Sequence, residues 1–316
     1  MAFELTDKLV IAVASSALFD LSESDKVFRE EKENAYRRYQ RENENNILGK
    51  GVAFALIKRL LEINSTEKQL VEVILLSRND PDTGLRVFKS IESYGLTISR
   101  AIFVAGQNPF KYMEAINASL FLSGNLDDVK EAIKYNFPAG YVKETDYQDD
   151  ETEKELRLAF DFDGVIVDDA SETVYKKGGG LLLYQQHERE HANELMGEGP
   201  LFRFLKQISE IQKYEISKFE EDDSYQPKIR IALCTARNAP AHERVVKTLR
   251  EYDIRIDEAF FLGGVNKNNV LKIYKPHIFF DDQLEHIDDV AKSFPSVHIP
   301  YGVANESDKE IEEVGN

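Results

Sequence analysis

Asp161 and Asp163 stand on alternate residues directly after the apolar run Leu156–Phe160, and Gly164 follows them. A strand ending in Asp-x-Asp-Gly sets two carboxylates at the C-terminal edge of a sheet, where open α/β folds bind ligands. Buried carboxylates side by side are costly unless a cation meets them. Taken alone, the motif also describes a solvated turn in which glycine supplies a positive φ. Three later segments bring more chemistry to strand ends and helix starts. Cys234-Thr235-Ala236-Arg237 closes a β-rich run on a hydroxyl, and Gly263-Gly264-Val265-Asn266-Lys267 puts a lysine at the start of a helix. Phe279-Phe280-Asp281-Asp282 closes another run on a second carboxylate pair. Alone, Lys267 reads as a surface lysine; beside these carboxylates it reads as their counter-charge. Carboxylates, a hydroxyl and an ammonium together can hold a hard cation and an anionic substrate.

The insertion that separates the first two motifs carries a different signal. His187-Glu188-Arg189-Glu190-His191 matches the His-Glu-x-x-His pattern of zinc peptidases, with both histidines on one helix face. Such a site needs a third ligand, for which Glu210 is the candidate. Charged Arg189 and Glu190 fit poorly in a motif usually set in an apolar helix, so we favour a polar helix. Gly178-Gly179-Gly180 follows Lys176 and Lys177. A flexible loop is a better account of it than a hinge or phosphate loop, because no P-loop lysine pattern follows. The single cysteine, Cys234, excludes an internal disulfide framework and any multi-cysteine zinc site, and suits a reducing cytoplasm.

These groups need elements to position them. The chain has 316 residues, 42% of them hydrophobic and 10% aromatic, enough to bury a core in two domains or one large one. Forty Lys+Arg against 57 Asp+Glu leave a formal net charge of −17, which repels nucleic-acid phosphates and anionic lipid. Neither is expected as a partner, although one local pocket can still hold a small anion. The most apolar early stretch, Leu9–Leu21, is interrupted by Ser15, Ser16 and Asp20 and is too short to span a bilayer. A soluble, cytoplasmic protein is expected. Short β-rich runs alternate with helical patterns, which predicts an α/β fold built on doubly wound, mostly parallel sheets. Leu9–Ala14, Val71–Leu76, Ala101–Val104 and Ser119–Leu122 read as strands. Gly51–Ile63 reads as an amphipathic helix and Ser24–Glu44 as an exposed one. Seven acidic residues from Glu144 to Glu155 suggest a linker, and Glu220–Asp223 a surface loop.

The second half echoes the first in the same order. Leu156–Asp161 stands where Leu9–Ala14 does, and Ile231–Pro240 answers Val73–Pro81. Tyr252–Gly264 answers Tyr94–Gly106, and Ile278–Gln283 answers Leu120–Asn125. We read an internal duplication, with a degenerate unit at 1–145 and a catalytic unit at 155–316. In the first unit Ala14 and Ser16 replace the aspartates, Leu76 or Ser77 the threonine, Pro109 the lysine and Ser123 the later carboxylate. Ser15, Ser16, Ser77, Arg78 and Asn79 remain a candidate second phosphate site, with capping and turn roles as the equal alternative. The second unit holds an insertion at about 170–226, with helices expected around Leu181–Met196 and Pro200–Ser217, which can fold over the site as a cap.

The ordered set Asp161, Thr235, Lys267 and Asp281-Asp282 resembles the motifs of haloacid-dehalogenase-like phosphohydrolases over residues 155–300. Gly84-Leu85-Arg86-Val87-Phe88, the run from Thr235 to Arg244 and the run from Ile256 to Gly264 are similar to the cytosolic 5′-nucleotidase type I family, over nearly the whole chain. That resemblance implies Mg²⁺-dependent hydrolysis of nucleoside 5′-monophosphates, typically AMP. It makes Asp161 the nucleophile that forms an aspartyl-phosphate, and Asp163 the acid and then the base. Thr235 would contact the phosphoryl oxygens and Lys267 would neutralise charge. Asp161, the Asp163 backbone carbonyl and Asp281 would hold Mg²⁺, with Asp282 helping through water. Arg237, Asn238, Lys176 and Lys177 are candidate substrate contacts, and a nucleotide activator and a homo-oligomer are candidate partnerships. Two alternatives stay open: a phosphatase for another small phosphomonoester, and a nucleotide-binding regulator with little turnover. Intact Asp161, Asp163, Lys267 and Asp281 argue against the regulator, since binding alone does not need a nucleophile.

Overall fold

The computed structural model describes residues 4–175 and 180–305. The chain divides into two compact units, Met1–Val142 and Lys143–Asn316. Among the described residues no helix is long and apolar enough to cross a membrane.

The first unit contains β1 (Leu9–Val13), α1 (Ser15–Leu18), β2 (Phe19–Asp20), α2 (Ser22–Glu42), β3 (Gly49–Lys50), α3 (Phe54–Leu61), β4 (Val71–Ser77), α4 (Gly84–Ser93), β5 (Arg100–Phe103), β6 (Leu120–Ser123), α5 (Leu126–Lys134) and β7 (Ala139–Lys143). Five strands lie parallel in the order β7-β6-β1-β4-β5, and β2 and β3 form a small antiparallel ribbon. Every residue of β1 and β4 is buried, as parallel strands covered on both faces require. Two predicted helices differ at their starts. The helix expected from Gly51 begins only at Phe54, because the Gly51 and Ala53 N–H groups donate back to the Leu18 and Ala17 carbonyls. The charged helix begins two residues before Ser24, and Lys32 breaks it with φ 69°.

The second unit contains β8 (Leu156–Phe160), α6 (Ala170–Val174), α7 (Gly180–Glu190), α8 (Phe202–Glu221), β9 (Ile229–Thr235), α9 (His242–Glu251), β10 (Glu258–Phe261), α10 (Lys267–Tyr274), β11 (Ile278–Asp281), α11 (Leu284–Val290) and β12 (Ser296–His298). Its strands are parallel in the order β10-β9-β8-β11-β12. Counted in chain order within each unit, both sheets therefore run 5-4-1-2-3. The core under β8 and β11 is aromatic, with Phe160 stacked on Phe280 at 5.0 Å and Phe204 of α8 against both. The helix α8 runs into the acidic segment expected to be a loop. Glu215 fixes that turn by accepting the Tyr225 hydroxyl and the Lys228 and Ile229 N–H groups, which ties the helix to the start of β9. The acidic segment after Glu144 is also anchored: Tyr147 packs on Phe294, and Glu153 and Glu155 pair with Arg157.

Candidate active site

In a parallel sheet of this order the chain moves outward from its first strand in one direction and then returns on the other side. The loops after the strands on either side of that reversal diverge and leave a crevice. In the second unit those strands are β8 and β11. Asp161 follows β8, Asp281 ends β11 and Asp282 follows it, all three buried. Lys267 opens α10, where the Asn266 side chain caps the helix by accepting the Asn268 N–H. Its Nζ reaches Asp281 Oδ2 at 2.7 Å and Asp161 Oδ1 at 3.0 Å. Thr235 ends β9 at the same edge, and its hydroxyl oxygen accepts the Arg237 N–H at 3.1 Å, keeping its own proton to donate.

One lysine does not balance three buried carboxylates. Asp281 is the best partnered, by Lys267, by the Gln283 N–H at 2.8 Å and by His286 Nδ1 at 3.1 Å. Burial opposes its charge, but Lys267 and His286 hold its carboxyl below the usual range. Burial pushes Asp161 up to about 7; Lys267 counters this, and Asp281 and Asp163 add to it. Asp282 is pushed up to about 10, by burial first and then by Asp281 and Asp161, and neither of its carboxylate oxygens has a hydrogen-bond partner. Asp161, Asp281 and Asp282 each offer an oxygen, all within 4.8 Å of one another. Two orphaned buried oxygens in an all-oxygen donor set fit a hard divalent cation. The neighbouring Cys234 takes no part, because burial pushes its thiol up to about 12.

Gly164 is required for this packing. Its φ is +70°, and a Cβ there would lie 2.5 Å from Asp282 Oδ2. Gly164→Ala is expected to cost about 1–2 kcal/mol in backbone strain alone and to displace Asp282 as well. Thermal unfolding and a divalent-cation titration check this; an unchanged Tm with unchanged cation affinity would show that the loop tolerates the methyl group.

Asp163 is not one of the three grouped carboxylates, although its charge is felt at Asp161. Its two oxygens accept Arg237 Nη2 at 2.6 Å and Nε at 2.7 Å, while Arg237 Nη1 bonds to Glu188 of α7. The arginine expected to contact substrate thus has its fork on two protein carboxylates, with its plane near Phe162 and Tyr184. Asn238 is exposed beside Gly263. Lys176, Lys177, Gly178 and Gly179 lie outside the described residues. Glu188, Arg244, Ser171 and His286 are contacts that motif spacing alone did not single out as a set, although Glu188 lies inside the zinc-like pattern.

That pattern does not assemble a zinc centre. The His187 and His191 rings stack at 4.0 Å, but Glu188 is consumed by Arg237, Arg244 and Ser171. Among the described residues, the one group of three or more His, Cys, Asp or Glu able to hold a metal is Asp161, Asp281 and Asp282. In the first unit the equivalent crevice is short of free charge. Arg78 Nε bonds Asp128 at 2.7 Å, its Nη2 bonds Glu131, and its guanidinium lies over Phe110. Ser77 accepts the Asn79 N–H and Ser16 the Gly124 N–H, while Ser15 is buried. A phosphate here would have to displace two carboxylates from Arg78.

A parallel α/β unit with a buried carboxylate–lysine centre at its strand-order reversal is the class that fold and site define. A model of the 5′-nucleotidase family matches residues 1–306. Human cytosolic 5′-nucleotidase 1B is 34% identical over 292 residues, covering 89% of this chain and 47% of that protein. The chain belongs to the 5′-nucleotidase family, in its cytosolic type I branch, and spans about half the length of that curated relative. A chain from a solved Pnkp1/Rnl/Hen1 complex aligns over 93% of this chain and 96% of its own, with 15% identity and a TM-score of 0.31.

Proposed function

We propose that the chain is a Mg²⁺-dependent 5′-nucleotidase that hydrolyses nucleoside 5′-monophosphates, AMP favoured, through an aspartyl-phosphate on Asp161. The observation that carries this reading is the buried set Asp161, Lys267, Asp281 and Asp282 at the end of β8 and β11. Family membership and the cytosolic relative support the substrate class and a cytoplasmic setting. The shared 5-4-1-2-3 order of the two units supports their origin by duplication of a haloacid-dehalogenase-like fold. The first unit carries neither the carboxylates nor the lysine, so the chemistry is assigned to the second.

Asp161, Asp281 and the Asp163 backbone carbonyl would hold Mg²⁺, with Asp282 helping through water. When bound, the ion would supply charge neutralisation for the phosphoryl oxygens and the attacking carboxylate. Asp161 Oδ attacks phosphorus, and the bond from phosphorus to the ribose 5′ oxygen breaks as Asp163 gives that oxygen a proton. Water then attacks the phosphoryl group, Asp163 takes its proton, and phosphate leaves Asp161. Lys267 favours the ionised form of Asp161 against burial and meets charge developing on the phosphoryl group. Thr235 donates its hydroxyl to a phosphoryl oxygen.

Phosphate release from a panel of nucleoside monophosphates, with and without Mg²⁺, tests the assignment. EDTA is expected to abolish release and Mg²⁺ to restore it, with AMP at or near the top of the panel. His187→Ala and His191→Ala are expected to leave the metal requirement unchanged. Stoichiometric zinc that disappears with either histidine would replace this mechanism with a zinc hydrolase.

A further inference from the structure

Glu188 lies on α7, in the insertion between the first two strands of the second unit, yet it is only 1% exposed. A carboxylate is buried that deeply only when it is fully partnered. Its Oε1 accepts Ser171 Oγ at 2.7 Å and Arg244 Nη1 at 3.1 Å, and its Oε2 takes Arg237 Nη1. Burial works against its charge, and Arg237, Ser171 and Arg244 outweigh it and hold the carboxyl below its usual range. The remaining nitrogens of the Arg237 fork, Nη2 and Nε, are the two that hold Asp163. Arg244 is anchored in turn by donating from Nε to the Glu194 carbonyl at 3.0 Å. One continuous chain of charge-assisted bonds therefore runs from α9 and the inserted helix to the carboxyl proposed as acid and base.

We propose that Glu188 is a positioning residue for Asp163, acting through Arg237. A guanidinium is a rigid plane, so anchoring one nitrogen narrows the directions open to the other two. Glu188 grips one side of that plane, and Asp163 is aimed by the opposite side. Without Glu188 the guanidinium loses its anchor at Nη1, the Arg237–Asp163 pair can shift together, and the carboxyl loses its alignment with the leaving oxygen. Misalignment of a proton donor by a fraction of an ångström is costly to the step it serves and nearly irrelevant to substrate binding. The helix α7 is thereby coupled to catalysis: its seating completes the orientation of a group it does not itself contain.

This inference rests on the assignment of Asp163 as the proton donor, and a leaving-group comparison separates the two. A nucleoside alkoxide needs a proton as it departs, whereas the p-nitrophenolate of p-nitrophenyl phosphate leaves well without one. Wild type, Asp163→Asn and Glu188→Gln are compared on AMP and on p-nitrophenyl phosphate in steady state, with thermal unfolding as a check on folding. Asp163→Asn is expected to lose about a hundredfold or more in kcat on AMP and far less on the aryl ester. Glu188→Gln is expected to lose about tenfold in kcat on AMP, with KM within about twofold and the aryl ester nearly unaffected, because only acid alignment has changed. Glu188→Asp keeps the charge but withdraws it by one methylene; it carries the same expectation and is the variant read if the neutral one does not fold. If Asp163→Asn discriminates between the substrates while the Glu188 variants slow both equally, or neither, Glu188 is structural and the proposal is overturned. If Asp163→Asn fails to discriminate, the acid assignment itself falls.

Discussion

Asp161→Asn is expected to lower turnover by roughly a thousandfold or more while the substrate still binds, because the amide keeps the shape but is no nucleophile. The structure adds a second reason for a large effect. Asp161 is buried, 3.0 Å from Lys267, and one of three carboxylates offered to the cation. Replacing it removes the attacking oxygen and one cation ligand together, so the loss exceeds that of a contact residue. Stability should move the other way or little at all. Burial already pushes Asp161 up to about 7, so a neutral amide relieves part of the crowding around Asp281 and Asp282. The measurement is single-turnover and steady-state phosphate release, with substrate affinity by calorimetry and Tm in parallel. A folded variant retaining more than about a tenth of the wild-type rate would rule out covalent catalysis on this side chain.

The residues at strand ends were legible in the sequence because two strong patterns coincide there. An apolar run must stop where charge begins, and in a parallel sheet all such stops at one edge face the same crevice. Asp161, Thr235 and Asp281 follow from that rule, and Lys267 from the glycine and asparagine that start its helix. What stayed hidden is partner choice. Arg237 lies two residues past Thr235 and looked like a substrate contact, yet its partners, Asp163 and Glu188, are 74 and 49 residues away. Arg78 looked equally available in the first unit, and Asp128 and Glu131, 50 and 53 residues on, take its fork. The His-Glu-x-x-His pattern drew attention to this helix, but it did not show that Glu188 is buried against two arginines, which helix periodicity cannot reveal. Two helix ends shifted by a few residues where a long-range bond intervened, at Gly51 and at Glu215.

Lys267→Met is expected to destabilise the cation-free protein by about 3–5 kcal/mol, the range for removing one partner from a buried ion pair. Methionine replaces most of the lysine's apolar stem, so the cost is electrostatic rather than a cavity. The lysine is 4% exposed and bonds both Asp161 and Asp281; burial opposes its charge, and those two carboxylates outweigh it and hold its ammonium above the usual range. Without it, three buried carboxylates face one another, partnered by His286 and the Gln283 N–H at Asp281 alone. A divalent cation held by these same oxygens should therefore restore stability, by about 2.7 kcal/mol at a hundredfold excess over its dissociation constant. Activity should not return with it, because the cation cannot occupy the position from which Nζ meets both the nucleophile and the phosphoryl charge. Urea unfolding of wild type and variant, with and without Mg²⁺, measures the first two effects, and phosphate release the third. The cation should stabilise the variant more than the wild type, since the variant begins with one positive charge fewer among the same ligands. Equal stability of the two cation-free proteins would mean that the carboxylates discharge themselves by taking up protons, and that the lysine serves the reaction rather than the fold.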